Sequence, residues 1–324
     1  MNSTDNTRLM NGRNRVISLM KYLLNVLLIL MMSANSAAAE VVDPAAKIRA
    51  IEPIIVQANG IDLAYKVLGN KTDPAVLLVM GLGGSHILWG DALPHELAAA
   101  GYQVVLFDNR DVGNSQRLDE YGDPTIWWEF IKGKLGFNMN APYDLNDMAL
   151  DSVALLDQLE LEQVHVVGAS MGGMIAQIIA ARYPERVISL TSIMSTPGFR
   201  DDLPPPGEVN GAMTESGKEE SDAERKRRME AFGFYQDALP RQLMAIIKSG
   251  DRSEEVKTIR KPTLVMHGND DTLIPVAHGA YTAELIPGSN FVSFDGMGHN
   301  LPPAVLPELV RSMVDHMSAV SIED

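Results

Sequence analysis

The sequence contains no cysteine. That excludes disulfides, thiolate nucleophiles and Cys-ligated zinc or iron–sulfur sites, so any nucleophile has to be another residue type. Basic residues are also scarce: 27 Lys and Arg face 42 Asp and Glu, for a formal net charge of −15. A field of that sign repels phosphate backbones and anionic lipid, which argues against a nucleic-acid partner. No apolar run reaches the roughly 20 residues that a bilayer-crossing helix needs. What remains is the composition of a globular protein, 46% hydrophobic and 21% charged over 324 residues, long enough to bury a large core.

Residues 1–39 read as separate from the fold. Lys21 precedes an apolar stretch over 23–32 that only Asn25 interrupts, and Ala37-Ala38-Ala39 offers small side chains for cleavage before Glu40. This is the pattern of a secretory signal peptide, so the chain is expected to be periplasmic or secreted, with no stable membrane anchor. Losing the leader removes four basic residues and one acid, which leaves the remainder more acidic still.

From there, short apolar runs alternate with helical patterns, the signature of a mostly parallel sheet with helices on both faces. Residues 54–57 and 61–67 flank Asn59-Gly60 and predict an antiparallel hairpin at one edge. Runs at 75–80, 103–107, 163–167, 187–194, 263–267 and 290–294 predict six buried parallel strands. Apolar residues at helical spacing predict helices over 147–159, 173–182, 239–248, 277–286 and 305–317. The rhythm breaks at about 197–240, where Pro204-Pro205-Pro206 precedes a stretch, 218–230, with ten charged residues in thirteen. Ser221 and Glu224 stand at capping-box spacing there. We expect a short polar cap inserted between two strands of a single domain spanning 40–324.

The chemistry concentrates in Gly168-Ala169-Ser170-Met171-Gly172, which joins a strand to a helix. A serine on so tight a turn has its hydroxyl thrust out above the sheet, and the small residues around it relieve crowding. It needs a base, and imidazole suits proton transfer near neutrality. Of seven histidines, His299 alone follows the last strand directly, in Gly296-Met297-Gly298-His299, at the edge where Ser170 must lie. His86, His95, His165, His267, His278 and His316 read as packing or solvated residues. The third member should lie between them. Asp270-Asp271 leaves a strand in the right place, and Asp271 is the preferred acid, with Asp270 solvated or capping. Backbone amides of Leu82, in the glycine-rich loop Met80-Gly81-Leu82-Gly83-Gly84-Ser85, and of Met171 are the expected oxyanion donors.

These segments, with Phe107-Asp108-Asn109-Arg110-Asp111-Val112-Gly113-Asn114-Ser115 and Tyr143-Asp144-Leu145-Asn146-Asp147-Met148-Ala149, resemble the α/β-hydrolase superfamily over most of residues 56–317. The resemblance is strongest to its aclacinomycin-methylesterase-like branch of serine esterases. It implies an α/β-hydrolase fold and hydrolysis of small to medium acyl esters through an acyl-enzyme on Ser170, with Asp271 and His299 as partners, a small-molecule ester as substrate, and no metal or cofactor. The same triad serves peptidases, perhydrolases and acyltransferases, and a binding protein on this fold is the reading from another class. Arg110 and Asp108 read as a buried ion-pair and hydrogen-bond device, while Trp89, Trp127, Trp128 and Phe130 are candidates for lining a pocket.

Overall fold

The computed structural model describes residues 43–200, 202–205 and 222–320. The expected signal peptide and the Ser221 cap therefore lie outside the described residues.

Asn59 and Gly60 both adopt positive φ, 51° and 77°, as the tightest hairpin turns require. They join β1 (Ile54–Ala58) to β2 (Ile61–Leu68) as the antiparallel edge pair. The hairpin continues through β2 into an antiparallel pairing with β4 (Gln103–Phe107). All further pairings are parallel and involve β3 (Ala75–Val79), β5 (Val164–Ala169), β6 (Val187–Ile193), β7 (Thr263–Gly268) and β8 (Asn290–Phe294). The sheet order is β1-β2-β4-β3-β5-β6-β7-β8. Strands β3 to β7 are buried at every residue, which is why their sequences are mostly apolar on both faces rather than alternating.

One face of the sheet is covered by α4 (Leu145–Gln158) and α5 (Met171–Arg182), whose Leu145, Met148, Leu155, Ile175 and Ile179 pack on Leu63, Leu77 and Val105. The other is covered by α2 (Ala92–Ala99) and α10 (Leu306–Ser318), with Leu93, Leu97, Leu309 and Met313 against Val76, Leu78 and Val104. The helices α1 (Ala46–Arg49), α3 (Ile126–Lys134), α8 (Ser253–Val256) and α9 (Val276–Leu285) complete the layers. Between β6 and β7 the chain forms α6 (Asp222–Ala231) and α7 (Leu239–Ser249). The charged helix α6 is pinned at its C-terminal end, where buried Met229 joins Phe234 and Leu239.

The order in which successive strands are added reverses at β3, which has β4 on one side and β5 on the other, both parallel to it. Loops leaving the carboxyl ends of neighbouring strands diverge at such a point and open a crevice. The Gly81–Ser85 loop and Ser170 both stand there.

Candidate active site

Ser170 lies between the end of β5 and the first turn of α5, at φ 57° and ψ −122°. A non-glycine residue reaches that backbone conformation only under strain imposed by its surroundings. The surroundings are visible in the flanking glycines: a Cβ on Gly168 would stand 2.2 Å from the Gly172 carbonyl oxygen, and one on Gly172 would stand 2.0 Å from that of Val79. Strand and helix thus cross at a distance only glycine permits, and the turn between them lifts Ser170.

The structure brings Ser170, His299 and Asp271 together. Ser170 Oγ is 2.9 Å from His299 Nε2, and His299 Nδ1 is 2.8 Å from Asp271 Oδ2. Burial pushes the Asp271 carboxyl up, but hydrogen bonds from His267 and His299, the His299 charge and the Ile274 amide outweigh it and hold Asp271 well below the usual carboxylate range. Its Oδ1 accepts from the amides of Leu273 and Ile274, both at 2.9 Å. An ionised Asp271 can only accept, so His299 donates from Nδ1, and in the neutral ring Nε2 is then the nitrogen that can accept the serine proton. Asp270, by contrast, turns outward, and its Oδ2 accepts from the Gly296 amide at 2.8 Å.

His267 belongs to this cluster, although its sequence position suggested only packing. Its Nε2 donates to the Ile274 carbonyl at 2.7 Å and lies 3.4 Å from Asp271 Oδ2. It is fully buried, and its Nδ1 faces Gly279, where an added Cβ would come within 2.4 Å. No local sequence pattern marks this role; it arises because β7 and α9 pack together.

Gly81 abuts the serine, since a Cβ there would lie 3.0 Å from Ser170 Cβ. Among the described residues, neither the Leu82 nor the Met171 amide has a hydrogen-bond acceptor, so both remain available to an oxyanion beside Ser170.

Three other expectations fare differently. Arg110 and Asp108 are both buried and both steady the loops, each with its own partners: Arg110 grips Asp151 of α4 through two bonds of 2.6 Å, and Asp108 accepts from the His86 amide and ring and from the Asn114 amide. Trp89, a candidate for lining a pocket, is 3% exposed and packed into the α2 and α10 core. Trp127 and Trp128 are about half exposed and meet edge to face on α3, with ring centres 5.8 Å apart.

A family model describing the alpha/beta hydrolase fold matches residues 74–225. A rhodomycin D methylesterase of Streptomyces sp. (strain C5) is 29% identical over 83% of this chain and 99% of its own length. A second rhodomycin D methylesterase, of Streptomyces peucetius, is 27% identical over 79% of this chain and 94% of its own length. Among solved structures, the enol-lactonase of Burkholderia xenovorans LB400 superposes with a TM-score of 0.63 at 19% identity, covering 82% of this chain and all of that one. Sheet order, the strained turn at Ser170 and these matches converge on one assignment: the chain has the α/β-hydrolase fold.

Proposed function

We propose that this protein is a serine carboxylic-ester hydrolase that works through an acyl-enzyme on Ser170. The observation that carries the reading is the continuous relay from Ser170 Oγ to His299 to ionised Asp271, at 2.9 and 2.8 Å. His299 Nε2 takes the hydroxyl proton as Oγ attacks the ester carbonyl, and the resulting imidazolium is stabilised by Asp271. The amides of Leu82 and Met171 receive the oxyanion, and collapse expels the alcohol with the proton that His299 returns. Water, deprotonated by the same imidazole, then releases the acid. The matched methylesterases support an ester of a small alcohol as substrate.

Turnover of p-nitrophenyl esters, together with stoichiometric labelling by a fluorophosphonate, tests this. Ser170→Ala is expected to lose both and stay folded, whereas continued labelling of that variant would put the nucleophile elsewhere. The Leu23 to Met32 leader supports export as part of the same proposal, and intact-mass measurement of the native protein is expected to find its start near Glu40.

A further inference from the structure

The insertion between β6 and β7 holds the oxyanion loop at closer quarters than a cover would need. Residues 83–85 and 233–235 run antiparallel: Ser85 N donates to the Gly233 carbonyl and Tyr235 N to the Gly83 carbonyl, each at 2.8 Å, around a bridge between Gly84 and Phe234. Gly83, at φ 68°, has the Phe234 ring and Leu239 against it so tightly that a Cβ would stand under 3 Å from both. The remaining amide of this residue is taken by a side chain from α7. Gln242, fully buried, accepts from Gly83 N through Oε1 at 2.7 Å and donates from Nε2 to the Arg110 carbonyl at 3.0 Å. Gly83 directly follows Leu82, whose amide is the expected oxyanion donor.

From this we infer that Gln242 is a positioning residue, through which the insertion sets the Leu82 amide at the angle the oxyanion requires. The inference rests on the ester-hydrolase reading above. The demand at this position is specific. One partner is a buried N–H that needs an acceptor and the other a buried C=O that needs a donor, and a carboxamide supplies both from one side chain. These two backbone groups also fix which end of the amide is oxygen. A leucine of similar size would satisfy neither. An ionised glutamate would still accept from Gly83 but would set its charge against the Arg110 carbonyl, and only its protonated form could restore both bonds. Arg241, the preceding residue, anchors the same helix turn independently through paired contacts of 2.6 and 2.8 Å to Asp111, so α7 has a fastening that does not depend on Gln242.

Displacing an oxyanion donor affects the tetrahedral state and not the bound ester. Gln242→Leu is therefore expected to lower kcat by about 10- to 100-fold, with KM changed by less than about 3-fold. Affinity for a trifluoromethyl ketone, whose serine adduct carries an oxyanion, is expected to fall by the same factor as kcat/KM. Gln242→Glu, the isosteric variant, is expected to gain activity relative to wild type as pH is lowered from 8 to 5, because protonation regenerates the donor. Lys226→Ala, elsewhere on the insertion, is the control for general loosening and is expected to leave both quantities unchanged. Turnover and ketone affinity of Gln242→Leu within 2-fold of wild type would overturn the inference, as would a loss that appears in KM alone. Should Gln242→Leu not fold, a Gln242→Glu variant with wild-type kcat at every pH overturns it equally. Wild-type protein that neither labels with the fluorophosphonate nor turns over esters fails the ester-hydrolase reading itself, and the positioning role with it.

Discussion

Asp270 and Asp271 are adjacent carboxylates with opposite surroundings: one exposed and bonded to a loop amide, the other buried and met by two imidazoles and two amides. Asp271→Asn keeps the shape but lets His299 settle with its proton on the wrong nitrogen, so kcat is expected to drop by about 10³- to 10⁴-fold. Asp270→Asn is expected to stay within about 3-fold, and steady-state kinetics on one ester compares them directly. A reversed order would reassign the acid. Gly279 tests the support behind Asp271. A methyl group there would stand 2.4 Å from His267 Nδ1 and force the ring out of its present place beside Asp271. Gly279→Ala is expected to cost about 1–3 kcal/mol in denaturant unfolding, and to reduce kcat as well. Ser170, His299 and Asp271 were all legible as candidates because each sits at a strand's carboxyl end beside turn residues. His267 was not, since its importance comes from a contact with α9 that its own neighbours do not announce.

At the level of elements, the turn from β5 into α5 stores strain that the sequence shows only as a glycine pattern. Ser170→Gly removes the side chain from a left-handed backbone position and is expected to stabilise the fold by about 1 kcal/mol, raising Tm by about 2–4 °C while abolishing ester turnover. A lower Tm would mean that the Ser170 hydroxyl contributes more than its backbone costs. The same glycines explain an error of register: the helical pattern predicted a start at Gly173, whereas α5 begins at Met171, because Gly172 and Gly173 weaken the propensity signal just where tertiary packing supplies the helix. The helix predicted over 147–159 begins at Leu145, since the box is closed by Asp144 and Asp147 instead of the more familiar Glu. Strands were easier to read, because β3 to β7 are buried on both faces and their apolar runs have nothing to compete with. Helix α2, with Pro94 in its first turn, and the aromatic α3 carried no clear period and were missed. The bridge from Gln242 to Gly83 spans 159 residues, and no local pattern can disclose a contact of that range.

Charge acts on the molecule as a whole, and the buried histidines give its acid stability a direction. His165 on β5 is 2% exposed, bonded through Nδ1 to Ser189 Oγ at 2.7 Å and set edge-on against Tyr102. Burial, with a smaller contribution from the His316 charge, lowers its pKa from 6.5 to about 4. Burial also lowers His278 and His316. A neutral imidazole that the native state protects is protonated first in the unfolded chain, so between pH 6.5 and about 4 the unfolded state holds more protons and stability is lost as the pH is lowered. Asp271 runs on a separate scale, since its lowered pKa withdraws stability only below the ordinary carboxylate value of 3.8. Asp151, whose burial raises its carboxyl despite Arg110, works in the opposite sense and softens the acid loss. The shift at His165 corresponds to about 3 kcal/mol across the window. His165→Gln keeps a donor toward Ser189 but cannot titrate, so the difference in urea unfolding free energy between pH 7 and pH 5 is expected to shrink by about 2 kcal/mol relative to wild type. An unchanged difference would show that His165 is protonated in the native protein at pH 5 and that the acid sensitivity resides in His278, His316 or the carboxylates.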